Sequence, residues 1–440
     1  MGKRTVTGML TASGQQFRDW SAAYRLFYGE RMKIKHLFSV VMKVLLQKHL
    51  DLSGAVYAHM DDTNIRKRGK KVAGTSWMRD PLGPPFHTNF IWGQRFIQLS
   101  ISLPEASSPC QSRAIPVDFH PCPVVKKPKN PEDPTAWSIY RERQKKAKLS
   151  QVGCERIHQL REDLNLQGAA HRKLVISVDG SYTNETVVKN LPQHTTLIGR
   201  VRKDCCLYKL PDLQPGIGRN RVYGEQIPTP EQIRQSENYS WEKVEGWAAG
   251  KTHTFNLKVI KNLRWRKAGA SNLQLIVIRP LGYRLTKKSR MLYRQPAYLI
   301  GTDPDLDINQ LLQAYLWRWG IEVNFRDEKT LMGCGQAQVR NENAVKKLPA
   351  FVVAIHAMIL LADNQLKLNQ NQTRLPRAKW YIPKTHQRQT TGDILNIVRS
   401  QIWADNAHIN FSHFVTLQNG MRSGKNIANP TLSAAFYLRN

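Results

Sequence analysis

Cysteine is scarce in this chain, six in 440 residues, with Cys205 and Cys206 adjacent and no Cys-x-x-Cys pair. That excludes a disulfide-stapled scaffold, and Cys110, His120 and Cys122 lack the fourth ligand a zinc module needs. Negative charge is short as well: 33 aspartates and glutamates stand against 66 lysines and arginines, giving a net charge of +33 and a pI of about 10.1. An excess of that size goes beyond what solubility requires and points to a polyanionic partner. Also missing is an apolar signal core. The chain opens Met1-Gly2-Lys3-Arg4, and its longest apolar run, 348–362, falls short of a bilayer span and carries His356. The expectation is a protein of a reducing cytoplasm, neither exported nor embedded in a membrane.

The basic residues are spread along the chain in clusters, among them Lys67-Arg68-Gly69-Lys70-Lys71, Lys126-Lys127-Pro128-Lys129 and Arg141 to Lys148. One such cluster is an ordinary solvated face. Their total implies a broad phosphate-contacting surface on a folded enzyme, since eleven tryptophans and long apolar stretches do not suit a basic tail.

Apolar residues at helical spacing over 16–50 predict one or two amphipathic helices. A short apolar run, 55–60, reads as a buried strand ending at Asp61-Asp62-Thr63, and 96–103 alternates as a second strand. The proline-loaded stretch 104–134 predicts a connection, and 134–164 a long basic helix. Another buried strand, 174–178, ends on Asp179-Gly180-Ser181, followed by a helix over 185–191 and a strand over 195–202. Segment 203–300 mixes glycine, proline and aromatics with short β-like runs and reads as a β-rich insertion. A strong helix covers 307–329 and another 344–362, after which the chain is polar and basic.

Two strands that deliver carboxylates at their ends suit phosphoryl transfer. Two divalent ions roughly 3.5–4 Å apart can activate an attacking oxygen and stabilise a leaving one, and Mg2+ or Mn2+ takes hard oxygen ligands from separate elements. Helix 307–329 supplies a third carboxylate. At about 100° per residue, Tyr315, Arg318, Glu322 and Lys329 fall within roughly 60° of one another. Taken alone, Arg318 and Glu322 are an i,i+4 ion pair of the kind common on any helix surface.

The full pattern Tyr315-x2-Arg318-x3-Glu322-x6-Lys329 resembles the Y-R-E-K signature of bacterial insertion-sequence transposases of the IS-four type, a DDE group. Asp61-Asp62-Thr63 looks like that family's first-aspartate motif and Val178-Asp179-Gly180-Ser181 like its second, over about 51–362. The resemblance implies an α/β fold. Its ribonuclease-H-like core would occupy 51–202 and 301–365 around a β-rich insertion, 203–300, with a helical DNA-binding segment 1–50 and a basic, irregular or helical C-terminal region 366–440.

It further implies Asp61, Asp179 and Glu322 as catalytic residues and ligands of two Mg2+ ions, with Mn2+ able to substitute. Tyr315, Arg318 and Lys329 would contact DNA phosphates, and Arg326 is added for its place near that helix face. Tyr298 stands where the family's base-stacking tryptophan is expected; Trp241, Trp247 and Trp265 are alternative stackers. Asp62 competes with Asp61 for the first position, because alternation lets only one of them face the site.

The implied activity is Mg2+-dependent cleavage of transposon ends and joining of the freed 3′ hydroxyl to target double-stranded DNA. It would proceed in a homodimeric synaptic complex in a bacterial, nucleoid-associated setting. A nuclease of the same fold without strand transfer and an inactive, transposase-derived DNA-binding protein are the other expectations.

Overall fold

The computed structural model describes residues 4–80, 83–84, 86–105, 108–129, 133–212, 220–284, 289–369, 388–406 and 408. Most of the basic C-terminal region predicted over 366–440 therefore lies outside the described residues. The fold is mixed α/β.

Three helices, α1 (Val6–Ala12), α2 (Ser21–Tyr28) and α3 (Ile34–Val44), open the chain, and a π turn over Leu45–His49 closes α3. α3 is held by an apolar stripe that buries Phe38, Val41 and Met42, while Val40 is exposed. Then follow β1 (Val56–Arg66), β2 (Ser76–Arg79), β3 (Phe90–Glu105) and β4 (Ser108–Pro121). β1 is nearly twice the predicted length and carries Asp61 mid-strand, not at its end. The strand continues because the polar residues past Met60 pair with β3, Asp61 opposite Gln98 and Thr63 opposite Phe96.

β4 overturns the predicted proline connection. Among the described residues it pairs only with β3, and its register slips where Leu99 opposes Asp118 but Ser100 opposes Pro116, which leaves Val117 as a bulge beside the proline. An edge strand and a bulge are the two places where a strand tolerates a residue without an N–H. The predicted 134–164 helix is also two helices, α4 (Pro134–Lys146) and α5 (Leu149–Leu166), because Lys148 is extended, with ψ of 133°.

β5 (Leu174–Val178), α6 (Glu185–Val188) and β6 (Thr195–Arg200) come next, with β5 buried at every position. Segment 203–300 supplies β7 (Tyr208–Lys209), α7 (Pro230–Gln235), β8 (Glu242–Ala248), β9 (Lys251–Arg264), β10 (Leu273–Ile278), β11 (Gly282–Tyr283) and β12 (Leu292–Tyr293). β13 (Ala297–Gly301) leads into α8 (Ile308–Trp317), α9 (Trp319–Thr330), α10 (Glu342–Leu368) and α11 (Thr391–Asn406).

Eleven strands form one sheet in the order β2-β3-β1-β5-β6-β13-β10-β9-β7, with β4 on β3 and β8 on β9. β1, β5 and β6 run parallel, while β3 and β4 on one side and β13, β10 and β9 on the other are antiparallel to their neighbours. Most strands of 203–300 thus extend the same sheet.

Two apolar layers sandwich it. On one face Val56, Ala58, Met60, Leu174, Ile176 and Val178 pack with Ile157, Leu160 and Leu164 of α5. On the other, Val175, Ile198, Ile276 and Leu299 pack with Leu311, Leu312 and Ala314 of α8. Leu311 and Leu312 are fully buried, each contributing about 1.5–3 kcal/mol. α10 is long and apolar enough to cross a membrane by length and composition, but its apolar surface is spent on the core, with Leu348, Val353, Ala354 and Leu360 buried.

Candidate active site

Strand alternation decides what faces α8 and α9. Tyr57 pairs with Val175 and His59 with Ser177, and the parallel pairing of β1 with β5 ends at Met60 and Val178. Asp61 and Asp179 are the next residue on each strand, one step beyond the last pair, on neighbouring strands roughly 4.8 Å apart. With period two, Tyr57, His59 and Asp61 share a face with Val175, Ser177 and Asp179. This is the face α8 covers, since the Ser177 hydroxyl donates to the Ala314 carbonyl at 3.1 Å.

The helix predicted over 307–329 is two helices broken at Arg318, whose N–H donates to the Tyr315 carbonyl at 3.2 Å, a tighter i−3 bond. Trp317 packs edge-on against Tyr57 at 5.5 Å, and Asn324 donates to the Ala114 carbonyl at 2.9 Å. Gly320 permits that close approach to β4, because a Cβ there would lie 3.0 Å from the Cβ of Ala114. The joint is thereby fixed over the end of the parallel strands.

Arg318 stands between two of the three carboxylates, donating from Nη1 to Asp61 Oδ2 at 2.8 Å and from Nη2 to Glu322 Oε1 at 3.1 Å. Its side chain is 14% exposed, so this is a mostly buried bridge and the solvated surface pair is set aside. Burial pushes the Asp61 carboxyl up to about 7; Arg318 opposes the shift and Asp179 and Asp62 add to it. Burial also raises Glu322, again with Arg318 opposing and Asp179 adding. Burial works to lower the Arg318 guanidinium, and Asp61, Tyr315, Glu322 and Asp179 outweigh it and raise it. Asp179 thus sits within electrostatic reach of all three.

The remaining signature residues divide. The Arg318 guanidinium lies 6.0 Å from the Tyr315 ring centroid. Lys329 donates to the Thr63 hydroxyl at 2.6 Å, tying the far end of α9 to the first-aspartate motif. Arg326 is 67% exposed and turned to Asp327, at 3.0 Å. Tyr298 is only 5% exposed, its hydroxyl donates to Glu231, and it forms part of β13, so as folded it offers no face to a base. Of the alternative stackers, Trp265 is buried and Trp241 lies under the Lys258 ammonium at 4.4 Å.

Asp62 faces the opposite side, where the Tyr182 hydroxyl donates to Oδ1 at 3.0 Å and Arg95 Nε lies 3.6 Å from Oδ2. Tyr182 comes from the loop that follows Asp179, so the second motif props the first. Two neighbours of Asp61 went unread in the sequence. His59 is fully buried, bonds Ser102 at 2.6 Å through Nε2 and leaves Nδ1 without a partner; burial, then Arg318, hold its imidazole down at about 3. Gln98 is fully buried opposite Asp61 with Oε1 unpartnered. Their signal was available: His59 lies two residues before Asp61 and so on the same face of a strand.

Among the described residues no three His, Cys, Asp or Glu side chains are close enough together to hold a metal. Arg318 is the cation between Asp61 and Glu322. The donors are of the type a hard divalent ion takes, carboxylate oxygens from two strands and one helix; burial raises Asp61 and Glu322, and Asp179 adds a smaller part to both. Comparison with known proteins finds no family model and no curated protein that matches this chain.

Proposed function

We propose that the protein is a DNA transposase of the DDE type, cutting the ends of a mobile element and joining the freed 3′ hydroxyl to target DNA. One observation carries this: Arg318 gathers Asp61 from β1 and Glu322 from α9 beside Asp179, at the point where the parallel pairing of β1 and β5 ends. The strand order β4-β3-β1-β5-β6, antiparallel on one side and parallel on the other, supports a ribonuclease-H-like core. The net charge of +33 supports a nucleic-acid partner.

Asp61, Asp179 and Glu322 would hold Mg2+, or Mn2+ in its place, which when bound supplies Lewis acidity to a phosphodiester and lowers the pKa of an attacking water. The chain's own side chains do the rest. Arg318 neutralises the carboxylates in the absence of DNA and is a bidentate donor matched to phosphate geometry. Tyr315 lies beside it, and Lys329 stands at the far end of α9, next to Thr63. Burial raises the Asp61 pKa and the Arg318 guanidinium opposes that rise, so a metal entering there would displace Arg318 from Asp61. Cutting two ends in one assembly calls for a homodimer on DNA.

Purified protein is incubated with DNA carrying the element's own ends, a target plasmid and Mg2+. Cleavage together with joined product is the expected result, lost in Asp61→Asn, Asp179→Asn and Glu322→Gln. Hydrolysis without joining identifies a nuclease, and end binding without cleavage identifies an inactive DNA-binding protein; either overturns the proposal.

A further inference from the structure

One group of exposed residues is left over from the site. Cross-strand pairing sets Trp77 opposite Trp92 and Arg79 opposite Phe90, so all four lie on one face of the β2–β3 ribbon, while Met78 and Ile91 fill the other, buried face. Trp77 is 62% and Phe90 56% exposed, and the two tryptophans meet edge to face at 5.5 Å. Trp92 Nε1 donates to the Gly69 carbonyl at 3.2 Å, which brings the loop Lys67-Arg68-Gly69-Lys70-Lys71 alongside, with Arg68, Lys70 and Lys71 exposed. Large aromatics left in solvent in the middle of a cationic surface are costly unless something covers them.

Their position relates them to the carboxylates. Gln98 opposes Asp61, Phe96 opposes Thr63 and Gln94 opposes Ile65 without a break in register, so Trp92 and Phe90 continue the Asp61 face of β3. From Gln98 to Trp92 is about 20 Å of strand. Between them the sheet is roofed by the end of α9 and by Gly335, where Lys329 and Lys67 lie.

We propose that the face formed by Trp77, Arg79, Phe90 and Trp92 is a stacking platform for unpaired bases of DNA, with the Lys67–Lys71 loop contacting the backbone. Aromatic faces flanked by cations suit a single strand, whose bases are free to stack without regard to sequence. The choice of DNA over another polyanion rests on the proposed function.

The test needs no metal, so it stands apart from cleavage. Binding of a fluorescein-labelled thymidine oligonucleotide of about twenty nucleotides, and of a duplex of the same length, is followed by anisotropy in EDTA. Trp77→Ala weakens the single strand about tenfold and the duplex much less. Trp77→Phe keeps most of the affinity, and Arg79→Ala lowers the slope of log affinity against log salt by about 0.7. Circular dichroism confirms that each variant is folded. Unchanged single-strand binding in Trp77→Ala and Arg79→Ala, or equal loss on both DNA forms, overturns the platform even if cleavage of the element's ends is intact.

Discussion

β1 carries two carboxylates one residue apart, and its two faces are finished in opposite ways. Asp62 is completed by a tyrosine hydroxyl and an arginine over an apolar layer. Asp61 shares one buried arginine with Glu322, sits beside His59 and Gln98 with polar atoms left unpartnered, and has its pKa pushed up to about 7. Unmet polar demand gathered on one side of a strand is costly for folding and is typical of places where chemistry is done. The contrast teaches that adjacent, chemically identical residues are distinguished by what packs against each face, and it can be broken by experiment.

The largest expected difference is in cleavage. Asp61→Asn lowers Mg2+-dependent cutting on the order of a thousandfold or more, whereas Asp62→Asn leaves it within a few-fold and lowers the melting temperature. Equal losses in a gel cleavage assay would erase the distinction. Next is Gly153→Ala on the Asp62 side, where the added Cβ would meet the Tyr182 ring at 2.8 Å and Met60 Cε at 3.2 Å. Overpacking there costs about 1–3 kcal/mol in chemical denaturation, with cleavage retained at low temperature.

Tyr182→Phe, which removes only the hydroxyl that Asp62 accepts from, costs about 1.5–3 kcal/mol. A separate test is pH dependence. A carboxyl whose folded pKa is raised contributes stability below its unfolded pKa of about 4, and that contribution is lost as pH rises through about 7. Asp61→Asn therefore melts closer to, or above, wild type at pH 8 than at pH 4. A constant difference between the two proteins across that range would show that Asp61 is not the buried, proton-holding member of the pair.

What could be read in the sequence depended on whether one interaction or several set the outcome. Strand β5 and its terminal Asp179 were legible because a five-residue run with four apolar members reads as buried, and a charge and a glycine mark where burial stops. β1 was cut short at Asp61 because a run of Asp, Asp, Thr and Asn reads as a loop unless its partners are known. Arg95, Tyr182, Arg318 and Lys329 supply those partners from 31, 120, 257 and 266 positions away. β4 was hidden by prolines that only an edge strand with a bulge accommodates. The α4–α5 and α8–α9 breaks fall among residues that favour helix on both sides, so tertiary packing decides them. For the site, the signature helix pointed to Arg318 and Glu322 together, but Tyr298 was chosen by position and proved buried.

The interruption at Arg318 has an electrostatic result of its own. Because α9 begins at Trp319, Glu322 lies in a first helical turn, where the Ile321 N–H is taken by the Arg318 carbonyl at 3.0 Å and the backbone dipoles of a helix start favour a carboxylate by about 0.3–1 kcal/mol. In one continuous helix the same residue would sit deep in the rod, far from either end. The third carboxylate therefore draws part of its support from the main chain, and that part survives any substitution of Tyr315, Arg318 or Lys329 that leaves the two helices separate.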